Sequence, residues 1–186
     1  MRYIEKHAEP KSLAEYKKQV NAYYDGCNKA DIRRRLLEDQ GYLCAYCMRR
    51  IYDESSVDGG VPPMKIEHWF PESQYSEFQK LDFRNMLGVC MGNAGQPYSC
   101  TTCDSHRKDK MLTINPLDKN LVQQIRYNAL EACKDKLNAM RRNKPGDWPK
   151  SSLEKLLNIY ENKDKEGKCK EYSGIVIWYL KKKLKR

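Results

Sequence analysis

Two close cysteine pairs constrain this chain more than any other feature: Cys44-Ala45-Tyr46-Cys47 and Cys100-Thr101-Thr102-Cys103. A Cys-x-x-Cys turn lets two thiolates meet one tetrahedral ion, and two such turns complete a structural zinc (Zn2+) site. One pair alone could instead be redox-active, but the thioredoxin-like βαβ context is missing and a second pair would be left unexplained. Cys90 lies in the same region, so two quartets compete. Spacing favours Cys44 and Cys47 with Cys100 and Cys103. The rival set takes Cys90 and Cys103, with Met91 to Thr102 looping out between them. Cys27, Cys133 and Cys169 stand alone in helix-like sequence and read as ordinary buried thiols.

Eight cysteines in 186 residues could also suggest a secreted disulfide scaffold. Against that, Met1-Arg2-Tyr3-Ile4-Glu5-Lys6 has no apolar signal core, and the longest apolar run, Gly174 to Leu180, is too short to span a membrane. The expectation is a cytoplasmic protein without a membrane partner, whose clustered, reduced thiols hold metal. Hydrophobic residues make up 40%, enough for a modest core. Lys and Arg exceed Asp and Glu by 35 to 25, a formal charge of +10 that draws polyanions such as nucleic acid over long range. The basic tail Lys181-Lys182-Lys183-Leu184-Lys185-Arg186 reads as a solvated helix end rather than a dedicated binding arm.

Three regions separate by pattern: a helical segment over 1–41, a Cys-, His-, Gly- and Pro-rich unit over 42–118, and a helical extension with the basic tail over 119–186. In the first, Leu13, Tyr16, Val20 and Tyr23, then Ile32, Leu36 and Leu37, keep helical spacing. Asp25-Gly26 splits the pattern, and Gly41 ends it. In the second, strands are expected at Met48–Tyr52 and Met64–Trp69, joined through Asp58-Gly59-Gly60 and Pro62-Pro63. A helix near Asp104–Met111 follows, with Asp104 as N-cap. Beyond Pro116, Leu121, Ile125, Leu130, Leu137 and Met140 predict a helix stopped at Lys144-Pro145-Gly146. Another helix starts near Ser151 or Ser152, and Ile175–Leu180 fits strand or helix.

Within the middle unit, His68 ends an expected strand directly after Glu67, Asn85 precedes an apolar pair, and His106 lies just past Cys103. Each alone has a plain explanation as a surface, cap or helix residue. Together they fit phosphodiester hydrolysis. A neutral imidazole can take a proton from water, while a hard divalent ion on oxygen ligands neutralises phosphate charge.

The order Cys-x-x-Cys, strand, acidic-His, Asn-apolar, Cys…Cys-Asp, His resembles the HNH endonucleases. Closer still, Met1-Arg2-Tyr3-Ile4 with Glu9-Pro10, Ile66-Glu67-His68, Asn85-Met86-Leu87-Gly88-Val89-Cys90-Met91-Gly92-Asn93 and Cys103-Asp104 look like the retron- and Septu-associated HNH nucleases of bacterial anti-phage defence. The resemblance implies an α+β fold: a ββα-metal HNH core stapled by a four-cysteine zinc site and flanked by N- and C-terminal helices. It makes His68 the general base and Glu67 a ligand of a catalytic ion, Mg2+ or Mn2+. Asn85 would position the His68 loop or bind metal, and His106 would take the third, metal- or phosphate-binding position. It selects Cys44, Cys47, Cys90 and Cys103 for zinc and leaves Cys100 over. One departure is register: many members carry Lys or His four positions after the final cysteine, where this chain has Arg107. The partners implied are nucleic acid (DNA foremost), an ATPase subunit, and a retron reverse transcriptase with its noncoding RNA. The competing function is a non-catalytic zinc module that binds nucleic acid or protein, which would not need the Glu67-His68…Asn85 set. No base-reading helix is identifiable, so specificity is expected to be weak or imposed by a partner.

Overall fold

A computed structural model describes residues 1–53, 64–126 and 149–185. Helices α1 (Lys11–Tyr16) and α2 (Lys29–Gln40) precede a two-stranded antiparallel sheet, β1 (Lys65–His68) and β2 (Met86–Val89). Helices α3 (Cys103–Arg107), α4 (Lys119–Gln124), α5 (Lys150–Glu161) and α6 (Ser173–Leu184) follow. The class is therefore α+β.

Helix α2 has clear start and stop chemistry. The Asn28 side chain accepts from the backbone N–H groups of Ala30 and Asp31. At the other end Gly41 adopts φ 60°, with Tyr42 N donating to Leu37 O and Gly41 N to Glu38 O, a Schellman closure. Ile32, Leu36 and Leu37 bury one face against β2. The outer edge of β2 is not left bare. Gln40 donates to Gly88 O (2.7 Å) and accepts from Gly88 N (2.6 Å), so a buried side-chain amide stands in for a third strand.

In register, His68 faces Met86 and Glu67 faces Leu87 across the sheet. Both strands end at the core made by Leu36, Ile51, Leu81, Phe83, Met86 and Leu87. Strand β2 is buried along its whole length, so it reads in sequence as a plain apolar run rather than an alternating one.

The C-terminal extension is tied to the cysteine turn. Cys169 N donates to Gly41 O (2.9 Å), Tyr172 N to Met48 O (3.1 Å), and Arg50 reaches Cys169 O (2.7 Å). Helices α5 and α6 add a small core of Leu153, Val176 and Leu180. A Cβ at residue 41 would strike the Cys169 sulfur, and positive φ already disfavours it. Gly41→Ala is expected to destabilise the fold by about 2 kcal/mol, read as a lower urea midpoint at unchanged slope.

Several expectations change. Met48–Tyr52 forms no continuous strand; Arg50 and Tyr52 take part in isolated bridges, Arg50 with Leu43. The first helix ends at Tyr16: Asn21 takes φ 63°, and Val20 is 89% exposed with no apolar surface to reward further turns. Helix α3 starts at Cys103 with Thr102 in the cap position, so Asp104 lies inside the helix instead of capping it. Ile175–Leu180 is helical. The helix expected after Pro116 is cut short: α4 covers Lys119–Gln124 and stops there, because Ile125, expected inside it, takes a non-helical ψ of 130°. The Gly/Pro-rich connection at 58–63, the positions Leu130, Cys133, Leu137 and Met140, the stop at Lys144-Pro145-Gly146 and the terminal Arg186 lie outside the described residues. Among the described residues no helix is long and apolar enough to cross a membrane.

Candidate metal centre and the His68 cluster

Cys44 and Cys47 sit on a tight turn after α2, closed by Cys44 N to Arg49 O and Met48 N to Cys44 O. Cys90 follows β2 directly, and Cys103 opens α3. The chain between them is pinched at its base. Thr102 N donates to Gly92 O (2.9 Å), and Gly92 has φ 56° with Thr102 so near that a Cβ would collide. Residues 93–101 thus loop outward and Cys90 meets Cys103 despite the sequence gap. The structure brings Cys44, Cys47, Cys90 and Cys103 together, their sulfurs all within 4.8 Å of one another. Cys100 is exposed on the loop and is not in the cluster.

The spacing fits a tetrahedral ion. Zinc–sulfur bonds of about 2.3 Å at tetrahedral angles put sulfurs about 3.8 Å apart. Here Cys44–Cys103 and Cys47–Cys90 are 3.8 Å and Cys90–Cys103 is 3.6 Å. The hydrogen-bond contact with Cys103 pulls Cys90 strongly down and helps bring Cys47 down to about 7, whereas the contact with Cys44 drives Cys103 up. Four thiolates in so small a volume repel one another, and a divalent cation at their centre removes that conflict.

His68 lies at the end of β1, 2% exposed. Its Nε2 meets the Lys80 carbonyl (2.8 Å), its Nδ1 meets Glu72 Oε1 (2.6 Å), and the Tyr24 ring packs edge-on at 4.9 Å. A backbone carbonyl can only accept, so Nε2 carries hydrogen; Nδ1 is paired with the Glu72 carboxyl and becomes the nitrogen for proton exchange when Glu72 moves away. Asn85 closes the loop after His68: it accepts from Phe70 N (2.8 Å) and donates to Phe70 O (3.1 Å), while its own carbonyl takes Trp69 N. Asn85→Ala would orphan both groups of Phe70 and is expected to cost about 1–3 kcal/mol of stability, measurable by thermal melting.

Glu67 and His68 are consecutive in a strand and so point to opposite faces. Glu67 is held by the Arg107 guanidinium and the Tyr46 hydroxyl (3.1 Å). Burial and the Asp104 carboxyl push Glu67 up to about 7, although the Arg107 guanidinium opposes them. Lys65 pairs with Asp104 beside it (3.2 Å). The donors expected for a catalytic divalent ion therefore do not fit one as they stand. Glu67 already has a cation, and the cysteine quartet is the group of three or more His, Cys, Asp or Glu ligands found among the described residues. His106 is not brought to His68. It is exposed on α3, stacked on Tyr98 at 4.3 Å, with Nδ1 facing Tyr98 O and Thr101 Oγ1.

Sequence reasoning missed Tyr24, Glu72 and the Lys80 carbonyl around His68. Glu72 stands four residues after His68, a signal only once the chain between them is known to turn. Arg107 was visible as a register departure, but its burial was not.

No family model matches the chain. Among curated proteins it is similar to "Retron Ec83 putative HNH endonuclease" of Escherichia coli, 30% identical over 129 residues. The match covers 59% of this chain and 48% of that protein, so the chain spans about half the length of the relative it matches. That similarity supports a nuclease of the HNH type.

Proposed function

We propose that this chain hydrolyses phosphodiester bonds of nucleic acid, DNA foremost, with His68 as general base. The observation that carries the reading is the His68 ring at the end of β1, with Nε2 engaged by the Lys80 carbonyl and Nδ1 held by the partly exposed Glu72 carboxyl, the partner that can give way to water. Water gives a proton to Nδ1 as its oxygen attacks phosphorus; the ester oxygen leaves and is protonated from solvent. Glu72 occupies Nδ1 at rest and is 45% exposed at its side chain, so it can turn outward as an anionic phosphate enters. Asn85 holds the main chain that follows His68, which keeps the ring in place. The cysteine quartet holds a structural zinc that fixes the α3 end against the sheet.

The HNH resemblance further supports a ββα core over 42–118 built from β1, β2 and α3, with 1–41 and 119–186 as helical flanks. It also supports a Mg2+ or Mn2+ requirement. Such an ion would supply charge neutralisation at the phosphate. His106, exposed on α3 and away from His68, would serve through the phosphate-binding role that the resemblance gives its position. By the same resemblance the chain serves anti-phage defence alongside an ATPase subunit, with a retron reverse transcriptase and its noncoding RNA as further partners.

Cleavage of supercoiled plasmid by the purified chain, with magnesium or manganese and with chelator, tests the reading, repeated with the ATPase present. Nicking in either setting supports it. No cutting in both would leave a zinc-stabilised binding module.

A further inference from the structure

Arg107 is buried, at 6% exposed, and its guanidinium is hydrogen-bonded through all three of its nitrogens. Nε reaches Lys110 O (2.8 Å). Nη1 reaches Glu67 Oε1, His68 O (2.8 Å) and the Tyr46 hydroxyl (3.3 Å), and Nη2 reaches Trp69 O (2.7 Å). Three of these acceptors are main-chain carbonyls, and two belong to His68 and to the residue after it. A planar fork can satisfy several oxygens at once, which an ammonium cannot.

We propose that Arg107 is the resident cation of this strand end, a positioning residue for His68, and that Glu67 is its counter-charge and not a ligand of a divalent ion. Two physical arguments carry this. A divalent ion on Glu67 would sit beside a buried guanidinium, and like charges repel strongly where water is scarce. Evicting Arg107 instead would strand the carbonyls of His68, Trp69 and Lys110 together with a buried charge, so the cost falls on the same loop that holds the base. The positioning role rests on the reading of His68 as the base, but the test below needs no turnover.

Manganese binding is followed by electron paramagnetic resonance on the full chain and on Glu67→Gln, each checked for full zinc content. The expected result is the same binding curve for both. Loss of a manganese site in Glu67→Gln would show that Glu67 is a ligand and overturn the proposal. In parallel, the imidazole signals of His68 are compared by NMR between wild type and Arg107→Lys, which keeps the charge but loses the fork. Broadened or doubled His68 signals at unchanged zinc content are expected; where cleavage is measurable, kcat falls about 100-fold with little change in KM. Unchanged His68 signals and kcat would overturn the positioning role. Failure of either arm leaves the His68-dependent cleavage assay untouched, so the two readings fall separately.

Discussion

Cys44→Ser is expected to strip the metal and unfold the middle of the chain. The quartet joins three separate stretches: the turn after α2, the end of β2 and the start of α3. Among the described residues the sheet they staple has two strands, too few to stand alone. Structural zinc contributes about 10–16 kcal/mol of apparent binding energy in small zinc peptides, comparable with the whole stability of a domain. Loss of one thiolate should therefore lower zinc content well below one per chain and collapse near-ultraviolet circular dichroism. Cys90→Ser should do the same. Cys100→Ser, on the outward loop, should keep both signals; a zinc loss there would contradict the quartet.

His68→Ala is expected to act in the opposite way, removing chemistry while leaving zinc in place. The His68 ring bonds to no cysteine of the quartet; its contacts are Glu72, the Lys80 carbonyl and Tyr24. Loss of a general base typically lowers rates by about 100- to 10,000-fold, so cutting should fall below detection in an ordinary plasmid assay. The buried ring leaves a small cavity and an unpaired Lys80 carbonyl, so some loss of thermal stability is expected as well. Metal analysis on the same sample separates this outcome from unfolding.

Much of this was legible in the residues. Gly41 as a helix stop, the Cys44–Cys47 turn and the strand carrying His68 follow from local rules, because each depends on neighbours within a few positions. The choice between Cys90 and Cys100 did not follow from spacing, since spacing measures chain length and not where a loop is pinched. The signal was Gly92, whose positive φ and contact with Thr102 bring Cys90 back to Cys103. Tyr24 and Glu72 were hidden for the same reason: their role depends on turns in the connecting chain. The expectation for Glu67 came from its neighbour His68, yet strand alternation sends the two apart and Arg107 claims the carboxylate. A buried arginine among lysines has no mark in sequence beyond its register.

The most direct test of the central claim compares wild type and His68→Ala at equal zinc content on supercoiled plasmid, with added magnesium or manganese and with the partner ATPase present and absent. The account predicts nicking by wild type and none by the variant. Equal cutting by both would contradict it, because the base would then lie elsewhere.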